Sequence, residues 1–515
     1  MDVFHLRDQL TQDYANYASS FIHILDKRII DTVQRSLAEG VFWPDPLIQL
    51  NPAFERGGSV DELVQEGVLH SECTRIFQRG KDRGNNIPLQ FHRHQYEAIL
   101  TAQQGHNYIL TTGTGSGKSL AYIVPIVDHI LRNGSGKGIQ AIIVYPMNAL
   151  ANSQSGELKK FLVDGYLDGQ EPVTFARYTG QERDQERERI IANPPDILLT
   201  NYVMLELLMT RPRERKLIEN AHGLRYLVLD ELHTYRGRQG ADVALLVRRV
   251  RNRLETHQPI QCVGTSATLA SEGTYEEQRR RVAEVGSQLF GVEVHPENII
   301  GETLRRATPE RDENDSSFVR ELSTIIAQDE GLNPPHDYQT FTAHPLSSWI
   351  ESTFGVQMKD GRLTRSVPRA IQGVDGAAQQ LSNLIGTDSN LCVRTIQRWL
   401  LAGYECEPNI ETGFRPFAFR LHQFITPGDT VYTTIEDEDT RYLTLSGQQF
   451  VPGNRERALF PLCFCRECGQ EYYVVRLTGD TTIARTVTPR EFSDQLDDDD
   501  SEAGYLYLSS KNPWP

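Results

Sequence analysis

Between residues 86 and 304 the chain alternates short, mostly apolar runs with stretches whose apolar residues recur at helical spacing. The runs are Tyr108-Ile109-Leu110, Ala141-Ile142-Ile143-Val144, Ile197-Leu198-Leu199, Tyr226-Leu227-Val228-Leu229 and Gln261-Cys262-Val263-Gly264. An apolar run without polar alternation is a strand covered on both faces, and strands separated by helices pair in parallel. The pattern predicts an α/β fold, a parallel sheet with helices on both faces. On either side the pattern changes. Residues 1–85 are helical in period over 17–37 and 60–77, with a break at Trp43-Pro44-Asp45-Pro46, and read as a helical N-terminal accessory region. Residues 305–412 are helical in period again, as at 318–326 and 393–401, and read as an insert. Residues 413–515 hold short runs of strand formers, such as Val431-Tyr432-Thr433-Thr434-Ile435 and Tyr472-Tyr473-Val474-Val475, and predict a mainly β domain.

Two chemical signals lie in the 86–304 segment. The first apolar run leads into Thr112-Gly113-Thr114-Gly115-Ser116-Gly117-Lys118-Ser119, with helical spacing from Leu120. Glycines let such a turn aim backbone N–H groups at phosphate, and the helix N-terminus adds partial positive charge. Lys118 would reach the β- and γ-phosphates of a nucleotide and Ser119 would ligate Mg²⁺. The second signal is Asp230-Glu231-Leu232-His233, directly after an apolar run. Asp230 would hold the Mg²⁺ through water, and Glu231 would orient and deprotonate an attacking water.

Taken in order, these segments resemble a superfamily 2 DExH helicase, whose nucleotide-binding lobe is RecA-like. Thr112, where the strict phosphate-loop pattern has glycine, is a departure that superfamily shares. Gln95, in Phe91-His92-Arg93-His94-Gln95, is similar to its adenine-reading glutamine. Asn148 in Tyr145-Pro146-Met147-Asn148, Thr179 and Gly180 after Tyr178, and Thr200-Asn201 resemble segments that touch the nucleic-acid strand. Thr265-Ser266-Ala267-Thr268 resembles the motif that couples hydrolysis to strand movement, with His233 and Ser266, Ala267 and Thr268 as the coupling residues. Hydroxyls, amides and backbone N–H groups bind phosphate without reading bases, as a motor on arbitrary sequence requires. The run from Asp230 through Thr234-Tyr235-Arg236-Gly237-Arg238-Gln239-Gly240, with Gln288-Leu289-Phe290-Gly291 and Ile299-Ile300-Gly301-Glu302, is similar to the MrfA-type and RecQ-like branch. The long insert after residue 300 looks like those of large phage-defence helicases of the Druantia and DISARM kind. The resemblance implies an ATP-dependent DNA helicase or translocase, acting on a single strand or duplex end, in defence or repair. Arg236 and Arg238 would contact DNA or pair with nearby acids.

The bulk numbers fit this reading with one tension. The chain has 515 residues, 39% hydrophobic and 24% charged, enough for several domains. No apolar run is long enough to cross a bilayer, and residues 1–12 lack a signal-peptide core, so a cytoplasmic protein without a membrane partner is expected. The net charge of −16 gives no background attraction to nucleic acid, which a motor gripping one strand with a few amides tolerates. Part of that charge is the acidic run at 491–502.

Two further expectations concern what the chain lacks. No Gln-x-x-Gly-Arg-x-x-Arg finger is present. The nearest string, from Gln357 to Arg365, has one residue too many and reads as a hairpin turning at Asp360-Gly361. A second RecA-like lobe is therefore expected from the remainder of a longer protein or from a partner. The alternative is a nucleic-acid-binding scaffold of a defence complex whose ATPase is silent in isolation. Seven cysteines include the cluster Cys463, Cys465 and Cys468. Cys465 and Cys468 have the spacing of a zinc knuckle, completed by Cys406, Cys463 or His422 or by a pair beyond residue 515, and buried reduced thiols are the other reading.

Overall fold

The computed structural model describes residues 2–20, 23–81, 86–113, 115–167, 169–255, 258–267, 273–328, 333–409, 413–426, 430–479, 485–491 and 501–509. Thr114, Thr268 and most of the acidic run lie outside these residues. The chain divides into two compact units. One comprises residues 52–305 and 358–364, and the other residues 1–51, 306–357 and 365–515.

The first unit is built on seven parallel strands: β1 (Tyr108–Thr111), β2 (Ala141–Tyr145), β3 (Phe175–Arg177), β4 (Ile197–Asn201), β5 (Tyr226–Leu229), β6 (Gln261–Ser266) and β7 (Ile299–Gly301). Their order across the sheet is β7-β1-β6-β5-β2-β4-β3, each pair parallel. This is the expected α/β fold, a parallel sheet with helices on both faces. The five expected runs are the five central strands, and β3 and β7 are short edge strands. Successive residues alternate between two cores. Leu110, Ile143, Leu199, Val228 and Val263 enter one, and Ile109, Ile142, Leu198, Leu227 and Cys262 enter the other. Neither face meets water, so the strand interiors are mostly apolar and the polar residues stand toward the strand ends.

Helices α1 (Arg93–Gln103), α2 (Leu120–Asn133), α3 (Asn148–Leu162), α4 (Gly237–Leu254) and α5 (Tyr275–Phe290) cover the sheet. Gly286 of α5 allows close packing, since a Cβ there would lie 2.2 Å from Ile109 Cδ1. Part of the 1–85 segment belongs to this unit. Val60, Leu63, Cys73, Ile76 and Phe77 share a core with Leu110 and Ile143. Asp128 of α2, 1% exposed, accepts the His70 N–H at 2.6 Å and the Gln103 side-chain N–H at 2.8 Å.

In the second unit, helices Ser316–Ala327, Pro345–Phe354, Ala377–Ile385 and Ser389–Glu405 bury Trp349, Trp399 and Phe341. Strand Leu47–Leu50 pairs antiparallel with Phe419–His422 and Arg369–Ala370. The expected C-terminal β region is a six-stranded sheet, centred on the strand Glu471–Thr478, with antiparallel pairs. The helical period at 17–37 is two helices, Val3–Ser20 and Lys27–Ala38. Asp26 caps the second by accepting the Arg28 and Ile29 N–H groups. Residues 356–365 form the expected hairpin, with Asp360 and Gly361 at φ of 52° and 73°. The left-handed conformation at both turn residues matches a two-residue hairpin turn. Arg362 stacks on the Tyr275 ring at 3.7 Å, so it is engaged locally.

Candidate nucleotide site and strand face

The phosphate loop leaves β1 at Thr111 and enters α2 at Leu120. Gly115 and Gly117 have φ of 84° and 70°, which only glycine adopts without strain. The loop is tied from several sides. Thr112 and Ser116, both buried, share a hydroxyl–hydroxyl hydrogen bond of 2.6 Å. The Ser116 carbonyl is 2.9 Å from His94 Nε2, and the Gly117 carbonyl accepts from Gln95 Nε2 at 2.9 Å. Gln95 Oε1 in turn accepts the His92 N–H. Both ends of the Gln95 amide are thus committed to the protein, and its side chain holds the loop. A Cβ on Gly117 would meet Gln95 Nε2 at 2.5 Å. The Gly113 N–H donates to Glu302 Oε2 at 3.0 Å.

The acids come from the end of β5, two strands from β1 across β6. Lys118 Nζ stands 3.5 Å from Glu231 Oε1 and has no hydrogen-bond partner among the described residues. A nearly buried ammonium without hydrogen bonds is suited to an arriving phosphate. Asp230 is 8% exposed, and burial pushes its carboxyl up to about 6, opposed by the Thr265 hydrogen bond. A divalent cation would reverse that shift. Glu231 has φ 52° and ψ 56°, a left-handed backbone that a non-glycine residue adopts at a cost. Thr265, on neighbouring β6, donates its hydroxyl to Asp230 and accepts the Glu231 N–H at 3.1 Å. His233 Nδ1 lies 3.3 Å from both Glu231 Oε2 and Ser266 Oγ. Ala267 closes the described part of that motif. Burial, with the charge of Asp230 adding to it, pushes the Tyr122 phenol well above its ordinary range.

The residues expected to face a nucleic-acid strand are brought together at the ends of β2, β3 and β4. Asn201 Nδ2 donates to Asn148 Oδ1 at 2.6 Å and to the Thr179 carbonyl at 3.1 Å. Thr200 is fully buried and donates its hydroxyl to the Tyr178 carbonyl at 2.7 Å. Its side chain bonds within the protein rather than opening to a strand. Glu182, 4% exposed, accepts the N–H groups of Thr179 and Gly180 at 2.9 and 2.8 Å and the Thr179 hydroxyl at 2.9 Å. Burial works against its charge, yet these bonds and Arg177 hold it below the ordinary carboxylate range. Gly180, Asn148 and Asn201 keep accessible surface. Arg236 and Arg238 are exposed and make no ion pair among the described residues.

Thr265 and Glu302 were quoted only as members of motifs, without a role of their own, and Glu182 was not singled out from the sequence. Each acts across strands or turns that only the register brings together. The cysteine cluster falls short of a metal centre. Among the described residues no group of three or more His, Cys, Asp or Glu could hold a metal. Cys406 is buried among helices and donates to the His336 carbonyl at 3.0 Å. Cys465 and Cys468 sit on a turn whose backbone amides hold the Cys465 thiol below its ordinary range.

A family model described as DEAD/DEAH box helicase matches residues 92–276. Druantia protein DruE of Escherichia coli (strain UMEA 4076-1) is 25% identical over 374 residues, 51% of this chain and 20% of that protein. The uncharacterized ATP-dependent helicase YprA of Bacillus subtilis (strain 168) is 31% identical over 191 residues, 37% of this chain and 24% of that protein. The chain thus spans about a fifth to a quarter of the length of these relatives. Among solved structures, DUF1998 helicase MrfA bound to DNA aligns with 58% of this chain and 40% of its own at 21% identity, with a TM-score of 0.39. The matched span runs from the N-cap of α1 through the loop, Asp230, Glu231 and Thr265, and over residues 92–276 the chain is similar to DEAD/DEAH box helicase domains.

Proposed function

We propose that this chain is the first motor lobe of an ATP-dependent DNA helicase or translocase, with residues 52–305 as the lobe. The observation that carries the reading is Lys118 facing Glu231 at 3.5 Å across two strand ends, with Asp230 beside them and the phosphate loop behind. Lys118 leaves Glu231 for the β- and γ-phosphates of ATP. Glu231, freed, orients the attacking water and accepts its proton at the carboxylate. Ser119 and Asp230 are the residues that would hold Mg²⁺, which supplies charge neutralisation at the phosphate oxygens. Thr265 fixes the Asp230 carboxylate and the Glu231 backbone together. The contacts of His233 with Glu231 and Ser266 carry the change in the site toward the following motif. The strand lies over Asn148, Gly180 and Asn201, with Thr179 and Thr200 shaping that surface from within.

The second RecA-like lobe, with its arginine fingers, comes from the rest of a longer protein or from a partner. Cys465 and Cys468 form half of a zinc knuckle that the same remainder completes, so zinc analysis of the isolated chain is expected to read well below one ion per chain. A place in anti-phage defence or DNA repair follows from the resemblance to that group of helicases. The test is ATP hydrolysis with single-stranded DNA, duplex ends and RNA offered separately. DNA-stimulated turnover that Glu231→Gln abolishes supports the reading. Stimulation by RNA alone, or turnover unaffected by Glu231→Gln, overturns it.

A further inference from the structure

The Glu302 side chain contacts Gly113 from a stretch of backbone that the fold fixes on both sides. Gly301 pairs with Thr111 in the β7–β1 register, so Glu302 follows opposite the first residue of the loop. The chain is held on both sides of it. Tyr275 packs so closely on Gly301 that an added Cβ would lie 2.8 Å from its hydroxyl. Beyond it, the Thr303 carbonyl accepts the Glu55 N–H at 3.0 Å, and Leu304 pairs with Phe54. The carboxylate therefore stands at the loop before any nucleotide arrives. It does two opposed things there. As an acceptor it fixes the second residue of the loop, complementing the hold of His94 and Gln95 on Ser116 and Gly117. As a negative charge it opposes the phosphates that the loop receives. Lys118, the cation of the loop, is turned toward Glu231 instead.

We propose that Glu302 is a positioning residue that holds the phosphate loop through Gly113 and, by its charge, limits the affinity of the loop for nucleotide. This rests on the reading of residues 112–119 as the nucleotide site. The two effects separate by substitution. Glu302→Gln keeps an acceptor oxygen for the Gly113 N–H and removes the charge. Glu302→Ala removes both.

The experiment is calorimetric titration of ADP with Mg²⁺ into the wild-type chain, Glu302→Gln, Glu302→Ala and Lys118→Ala, with thermal melting as a check on folding. A unit charge removed some 10 Å from phosphate at intermediate dielectric changes affinity by roughly two- to tenfold. Glu302→Gln is expected to bind ADP about threefold or more tightly than wild type with an unchanged melting temperature. Glu302→Ala is expected to lose that gain, because the loop arm is no longer held. Wild-type or weaker affinity in Glu302→Gln overturns the proposal, as does equal affinity in the two Glu302 variants. Wild-type affinity in Lys118→Ala overturns instead the reading on which the proposal rests.

Discussion

Without a cation beside it, Asp230 is ionised at a cost. Burial raises its carboxyl from the unfolded value near 3.8 to about 6, so the folded state binds this proton more tightly than the unfolded state. The penalty is absent below the unfolded value, sets in between there and about pH 6, and is complete above it. Asp230→Asn should therefore stabilise the chain without nucleotide or metal by on the order of 2 kcal/mol at pH 8, with the gain vanishing toward pH 4. Denaturant melts in chelator at the two pH values check this, and a gain independent of pH would contradict it. Thr265 offers a second test. Thr265→Val keeps the side-chain shape but cuts the bond to Asp230 and orphans the Glu231 N–H. Hydrolysis should fall about 100-fold while ADP affinity changes little, because the acids are misplaced rather than removed. A fall in affinity as large as the fall in turnover would show that Thr265 supports the loop instead. At this scale the sequence was readable where the chemistry sits in one contiguous segment. Lys118 and Ser119, and Asp230 and Glu231, could be picked out as candidates for that reason, and the fold brings Lys118 within 3.5 Å of Glu231. Thr200 was misread as open to the strand because a hydroxyl after a strand looks the same whether it points outward or into the turn.

Among the elements, the five central strands were legible because full burial allows no polar alternation. Strands β3 and β7 were not, since each has three residues, lies at a sheet edge and is too short to show a period. The strand Leu47–Leu50 escaped notice too, because its partners lie more than 300 residues away in sequence. The segment at 60–77, read as part of a helical accessory region, packs its apolar residues into one face of the parallel sheet. Asp128 is its bolt. Asp128→Ala would leave the His70 N–H and the Gln103 amide without acceptors in a buried setting and free Arg132. Such losses cost about 3 kcal/mol or more. The midpoint of urea unfolding of the lobe should drop accordingly, and a change under about 0.5 kcal/mol would mean that the segment docks by its apolar side chains alone.

For the whole molecule, one parallel sheet among the described residues carries the loop at 112–119 and both acids, and the function proposed above takes its arginine fingers from outside that sheet. An arginine finger is worth on the order of 10³ to 10⁵ in rate, so the isolated chain should hydrolyse ATP slowly even with DNA present. Brisk turnover by this chain alone would reveal a finger within it. Strand binding should be weak and insensitive to sequence, because the net charge of −16 adds no attraction. Its log–log salt slope should be roughly −0.7 per phosphate neutralised on single strands. All of this depends on one claim, that the loop at 112–119 takes a nucleotide phosphate on Lys118. The direct measurement is titration of ATP with Mg²⁺ into the wild-type chain and Lys118→Ala. Saturable one-to-one binding that weakens at least about tenfold in the variant is expected, since the variant loses the charge-assisted contacts of the lysine. Equal affinity in the two proteins would contradict the claim.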